Sequence, residues 1–297
     1  MPTFSIDGQI CCQQDASISV MDHGLLYGDG VFEGLRFYDG RIFKLEEHLE
    51  RLFDSARAIL LLIPMQREQL ETALSKAITE SGQRDGYIRL VITRGEGALG
   101  IDPASCSRPR VIIIVDQLNM VQADVLREGA SLIISSIRRL QSDQIDPRIK
   151  SLNYLNQTLA RLEANSAGAD EAIMLNNQGR VAEGTVDNIF IIKKGALYTP
   201  PLSEGSLGGI TRGAIIAIAH DLGIDMNESA LTPFDLYTAD ECFLTGTGAE
   251  LIPVKAVAGR KIPTVRGALF CQIETAFLQA TRHASTRTAG QEQHTVC

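Results

Sequence analysis

A lysine, a carboxylate and two glycine-rich turns follow one another in an order that could hold an aldehyde cofactor by its phosphate. Lys150 lies in Arg148-Ile149-Lys150-Ser151-Leu152-Asn153-Tyr154 and is followed by Glu183 in Val181-Ala182-Glu183-Gly184. Gly208-Gly209-Ile210-Thr211-Arg212 and Thr245-Gly246-Thr247-Gly248-Ala249-Glu250 come next. A lysine amine forms Schiff bases with aldehydes, and in a dry or cationic setting its pKa falls far enough for it to shuttle protons. A carboxylate facing a pyridine nitrogen keeps that nitrogen protonated, so the ring can withdraw electrons from a carbanion. Free amides at a helix N-terminus, approached closely across glycines, take a phosphate. These are the parts needed for pyridoxal phosphate. Each also has an ordinary reading alone: a solvated surface lysine, a plain Glu-Gly turn, a tight Gly-Gly connection. Their order carries the weight.

The elements that must position these groups are of both periods. Residues 4–10 around Asp7-Gly8 read as a hairpin, and residues 31–38, Asp39-Gly40 and residues 41–45 as a second. Leu49, Leu52, Phe53, Ala56 and Leu60 recur at helical spacing, which predicts an amphipathic helix over 45–61, with another over 66–81. Apolar strands are expected at 87–93 and 110–116, separated by a loop, 94–109, rich in glycine and carrying two prolines; connections of that length are commonly functional. After Lys150 a helix is expected to about Ser166, then strands over 171–175 and from 181 to 192 around the turn 176–179. An apolar helix opening at Thr211, a short buried strand at 241–245 and a helix over 267–281 complete the pattern. We divide the chain into a small α+β domain, 1–117, a linker, 118–126, a large cofactor-binding domain, 127–282, and a polar tail, 283–297.

Composition excludes several other roles. The chain has 297 residues, 44% hydrophobic and 22% charged, enough to bury a core without staples. A net charge of −8 with no basic stripe argues against nucleic-acid binding. Cysteines at 11, 12, 106, 242, 271 and 297 form no C-x-x-C pair and there is no histidine cluster, so no metal site is expected and the thiols fit a reduced, cytoplasmic protein. No basic-then-apolar leader stands at the N-terminus, and the longest apolar runs are too short to cross a bilayer.

From about Phe4 to Ala280 the chain resembles the fold-type IV pyridoxal-phosphate aminotransferases, and among them the branched-chain amino acid aminotransferases. The segments that carry the likeness are residues 27–36 (Tyr-Gly-Asp-Gly-Val-Phe-Glu-Gly-Leu-Arg), Tyr87-Ile88-Arg89, residues 150–156, and the Glu183, Thr211 and Thr247 motifs. The resemblance implies a two-domain α+β fold and a role for each matching residue. Lys150 would carry the cofactor and move the proton between the substrate Cα and C4′. Glu183 would bond the pyridine nitrogen and Tyr154 would face the phenolic oxygen. Arg51, Ile210, Thr211 and Thr247 would hold the phosphate, and Gly246, Thr247 and Gly248 would help bind the substrate carboxylate. Tyr27, Phe32, Gly34, Arg36, Tyr87 and Arg89 would line the substrate pocket.

The implied reaction is a ping-pong transfer of the amino group of branched-chain L-amino acids (Leu, Ile, Val) to 2-oxoglutarate, in a homodimer or higher homo-oligomer whose sites take residues from the neighbouring subunit. The same scaffold serves D-amino-acid transaminases, (R)-amine transaminases and aminodeoxychorismate lyase. Residues 31–36 and Tyr154 favour the branched-chain reading. Arg89 or Arg36 could pair with the second carboxylate of glutamate.

Overall fold

The computed structural model describes residues 2–117 and 121–283 as two sheets flanked by helices, an α+β architecture. The first sheet has six strands, all antiparallel, in the spatial order 9–11, 3–6, 110–116, 86–93, 30–38 and 41–42. The expected hairpins turn at Asp7-Gly8 and Asp39-Gly40, where all four residues take positive φ. Alternate residues of Gly86–Thr93 and Arg110–Asp116 point inward, so Ile88, Leu90, Ile92, Val111, Ile113 and Val115 are fully buried. Helices Leu45–Ala58 and Arg67–Ser81 cover that face with Leu49, Leu52, Ala56, Leu70, Leu74 and Ala77. Truncating one of these leucines to alanine costs about 2–5 kcal/mol.

The first of these helices ends three residues before the sequence pattern suggests. Leu60 turns left-handed (φ 52°), its N–H bonds Arg57 O and the Leu61 N–H returns to Ala56 O, a Schellman closure with leucine in the usual glycine position. Arg94, anchored on Asp29, donates to the Ile59 and Leu60 carbonyls and so satisfies the exposed helix end. Leu60 fits the helical period but points to solvent, 88% exposed.

The second sheet has nine strands and is mixed, parallel where strand 130–138 meets 171–175 and 250–257, and where 196–199 meets 226–228. Two differences from the sequence pattern matter here. The stretch expected as one strand from 181 to 192 is two, Val181–Glu183 and Asn188–Lys193, because the Gly184 N–H bonds Asp187 O at 2.7 Å and closes a tight turn between them. Central strand Glu250–Val257 has no counterpart in the pattern: Pro253 within it removes a ladder donor and reads as a strand breaker. Residues 123–128, which overlap the expected linker, form a helix against that strand, with Val121 and Val125 on the core; residues 118–120 and the expected tail beyond His283 lie outside the described residues.

Candidate active site

The lysine segment is not part of either sheet's main ladder. It is bound to the small sheet's strand start: Phe32 N–H donates to Lys150 O, Leu152 N–H to Gly30 O, and Val31 bridges Ser151. Ser55 Oγ accepts the Lys150 N–H from the helix Leu45–Ala58. Lys150 Nζ is thereby placed 3.3 Å from Tyr154 Oη and 4.5 Å from the Phe32 ring centroid. Tyr154, just before helix Leu155–Ser166, packs edge-on against Phe32 at 5.1 Å. Burial, with the nearby Arg51 charge, pulls the Lys150 amine down to about 7. At neutral pH a large share is therefore unprotonated, as a nucleophile and proton carrier must be. Burial and the Glu183 charge push the Tyr154 phenol up to about 12, so it stays a hydrogen-bond donor.

Glu183 enters the same cleft from the end of its short strand, 5% exposed. Arg139 Nε donates to its Oε1 at 2.7 Å, while Leu207 N–H (2.9 Å) and Asn188 Nδ2 (3.3 Å) reach Oε2. Three elements thus fix one carboxylate, and a ring nitrogen brought to it would meet a charge that cannot rotate away. Arg139 and Asn188 carry no local sequence signal for this role, since Arg139 follows the strand 130–138 and meets Glu183 only through tertiary pairing.

Arg51 is aimed by a second buried carboxylate. Its Nε and Nη2 bond the two oxygens of Glu33 at 2.7 and 2.8 Å, and its Nη1 bonds Gly208 O at 2.7 Å. His48 Nδ1 lies 2.7 Å from Glu33 Oε2. Burial alone would raise the Glu33 carboxyl, but the Arg51 guanidinium and the His48 hydrogen bond outweigh it and hold it at about 2. The remaining N–H groups on Nη1 and Nη2 are left for a ligand. A signal for this clamp existed in the sequence: His48, Arg51 and Ser55 put polar atoms at helical spacing beside the apolar Leu49 and Leu52.

Facing Arg51 is the N-terminus of helix Ile210–Asp221. Its cap, Gly209, has no room for a side chain, because a Cβ there would lie 2.0 Å from Asn188 Oδ1. The first helical bond runs from Gly213 N to Gly209 O, so the amides of Ile210 and Thr211 are unpaired donors at the positive end of the dipole. Thr245 Oγ1, buried and without a partner among the described residues, lines the same cleft. An oxyanion accepting from these groups would satisfy them, so the donor set fits a phosphate.

These groups line one open cleft. Lys150, Tyr154, Glu183, Arg51, Ile210, Thr211 and Thr247 line it, as do Phe32, Gly34, Tyr87, Arg89, Gly246 and Gly248. Gly34 is required by close approach, since a Cβ there would meet the Tyr87 hydroxyl at 2.2 Å. The Arg89 guanidinium lies 4.4 Å from the Phe32 ring centroid and has no carboxylate partner among the described residues. Two expected pocket residues are elsewhere. Tyr27 faces away from this cleft, its hydroxyl accepting from Gly100 N at 2.9 Å and its side chain 37% exposed. Arg36 lies behind the turn, donating to Gly248 O at 2.8 Å and pairing with Glu250 at 3.6 Å. Among the described residues there is no cluster suited to a metal ion, and no helix is long and apolar enough to cross a membrane.

Comparison with known proteins places this geometry. The family described as amino-transferase class IV matches residues 30–257. A putative branched-chain-amino-acid aminotransferase of Methanocaldococcus jannaschii is 48% identical over 257 residues, 86% of this chain and 88% of that one. The crystal structure of the Escherichia coli branched-chain amino acid aminotransferase superposes with a TM-score of 0.92 at 34% identity, covering 97% of each chain. The branched-chain amino acid aminotransferase of Thermobaculum terrenum, solved in its PLP-form, gives 0.83 at 28% identity over 94% of this chain and 93% of that one. With its family match spanning most of the chain and its lysine, carboxylate and anion cup in one cleft, this protein belongs to the class IV aminotransferases.

Proposed function

We propose that the protein is a branched-chain amino acid aminotransferase that moves the amino group of L-leucine, L-isoleucine or L-valine to 2-oxoglutarate through pyridoxal 5′-phosphate. The observation that carries this reading is the convergence of Lys150, Glu183, Arg51 and the helix N-terminus at Ile210 on one cleft. The names of the relatives and structural neighbours support the branched-chain substrates over a D-amino acid, an (R)-amine or a lyase reaction.

Arg51, Ile210, Thr211 and Thr247 would hold the phosphate, Glu183 the ring nitrogen and Tyr154 the phenolic oxygen. When bound, the cofactor supplies an aldehyde that accepts the amino group and a ring that spreads negative charge from Cα. Lys150, about half neutral at pH 7, would take the Cα proton and return it on the cofactor side. Arg139 keeps the Glu183 charge at one place while that proton moves. Phe32 and Tyr154 exclude water around the amine. Arg36 is engaged with Glu250, which leaves Arg89 as the cation for the second carboxylate of glutamate or 2-oxoglutarate.

The active form is a cytoplasmic homodimer or higher homo-oligomer on this reading. Tyr27 is held to Gly100, whose neighbours Leu99 and Ile101 are exposed, as are Leu25 and Leu26, and burying these residues against a second copy would bring Tyr27 to a neighbouring site. Free thiols support a reducing compartment.

Incubation of the cofactor-loaded protein with L-leucine and 2-oxoglutarate is expected to yield glutamate and the branched 2-oxo acid. Glutamate from D-alanine or (R)-1-phenylethylamine instead, or pyruvate released without an acceptor, would overturn the branched-chain reading. Sedimentation is expected to give the mass of a dimer or of a multiple of it, and a monomer mass would count against the shared site.

A further inference from the structure

Behind the turn at residues 246–250, three side chains tie the small sheet to the large one. Arg36 and Tyr38 stand two apart on strand Gly30–Tyr38 and so share a face. Arg36 Nη1 donates to Gly248 O at 2.8 Å, and its Nη2 lies 3.6 Å from Glu250 Oε1. Tyr38 Oη donates to that same carboxylate oxygen at 2.5 Å. The Arg36 guanidinium sits 5.6 Å from the Tyr38 ring centroid, which closes a three-membered cluster.

The backbone explains why a cluster is needed. Gly246 and Glu250 pair across the hairpin, leaving Thr247, Gly248 and Ala249 as a three-residue loop with Glu250 in the left-handed position. Glycine is the usual residue there; Glu250 at φ 60° persists because its side chain is held. In a trans peptide the C=O and N–H point in opposite directions. Fixing the Gly248 carbonyl on Arg36 therefore turns the Ala249 N–H away from Arg36 and sets the plane of a loop whose residues line the cleft.

We propose that Glu250, with Tyr38, is a positioning residue for the substrate α-carboxylate: it holds Arg36 on the Gly248 carbonyl and so aims the loop amides that receive the carboxylate. This rests on the aminotransferase reading above. Both half-reactions present an α-carboxylate to one loop, so the effect falls on amino acid and oxo acid alike. Arg89 lies outside the cluster, so binding of the second carboxylate of 2-oxoglutarate is unaffected.

The test compares Glu250→Gln, which removes the charge, and Tyr38→Phe, which removes the hydroxyl, with the parent holoenzyme. KM for L-leucine and for 2-oxoglutarate is expected to rise together by about tenfold in each variant, on the order of one charged hydrogen bond, with kcat within about twofold. Titration of the cofactor absorbance with 4-methylpentanoate, which has a carboxylate and no amino group, is expected to weaken by the same factor. The affinity for pyridoxal 5′-phosphate is expected to stay at the parent value. Parent-like KM and 4-methylpentanoate binding in both variants would overturn the proposal, as would parallel loss of kcat and cofactor affinity. If one variant fails to fold, the other decides. Failure of the aminotransferase reading is separately visible, because the parent would then neither turn over L-leucine nor respond spectrally to 4-methylpentanoate.

Discussion

Replacing Glu33 by glutamine tests whether Arg51, the arginine we assign to the cofactor phosphate, is aimed by a buried charge. The side chain is fully buried, with Arg51 forked onto both its oxygens and His48 Nδ1 at 2.7 Å. The fall of its carboxyl from the ordinary 4.5 to about 2 corresponds to roughly 3 kcal/mol of folded-state stabilisation. Glutamine keeps the shape but presents an amide donor to Arg51 or to His48, and it leaves the guanidinium short of its counter-charge. For a chain of this length about 3 kcal/mol corresponds to a fall in Tm of about 5 °C. The sign with pH follows from the lowered carboxyl. The folded protein binds that proton more weakly than the unfolded chain, so the stabilisation is complete above pH 4.5 and drains away as pH falls towards 2. Thermal melts of parent and Glu33→Gln apoprotein, followed by circular dichroism from pH 7 down to pH 3, should show a gap that is widest at pH 7 and narrows below pH 4.5. Cofactor affinity at pH 7 should fall by about tenfold, the loss of one well-aimed charged hydrogen bond. A gap under about 1 °C at pH 7, or one that does not change with pH, would refute the reasoning.

Two further outcomes follow from the cleft. Arg89→Leu removes a cation that has no carboxylate partner among the described residues, so KM for 2-oxoglutarate should rise at least about tenfold while KM for L-leucine changes little; equal changes in initial-rate assays would reassign the second carboxylate. Asp187 is pushed up from 3.8 to about 7 by burial and by Glu171 and Glu183, so the folded state holds its proton more tightly and loses stability as pH rises from 3.8 to 7. Asp187→Asn should therefore stabilise the apoprotein more at pH 8 than at pH 5, by about 3 kcal/mol for the roughly two pH units between 5 and 7, and a melt difference that is the same at both pH values would count against this.

The sequence was most readable where chemistry and local periodicity coincide. Lys150, Glu183 and Thr211 announce themselves by type beside glycines, and the buried faces of both small-domain helices follow from helical spacing. Glu33, Arg139 and Asn188 were hidden because each matters only through a partner brought near by the fold, as with Arg139 and Glu183, 44 positions apart. Arg36 and Tyr27 were legible as residues but not as locations. Arg36 shares a strand with Phe32 and Gly34, yet the register turns its guanidinium onto Gly248, and Tyr27 is drawn to Gly100 by a loop whose path no local pattern sets. Strand Glu250–Val257 was masked by Pro253, which sits opposite Phe243 at a cost in ladder hydrogen bonds that local propensity would forbid.

The central claim is that Lys150 carries the cofactor. Borohydride reduction of the pyridoxal 5′-phosphate-loaded protein, followed by proteolysis and mass spectrometry, should place the phosphopyridoxyl group on the peptide containing Lys150 and on no other. A label on a different lysine, or a protein that takes up no label, would contradict it.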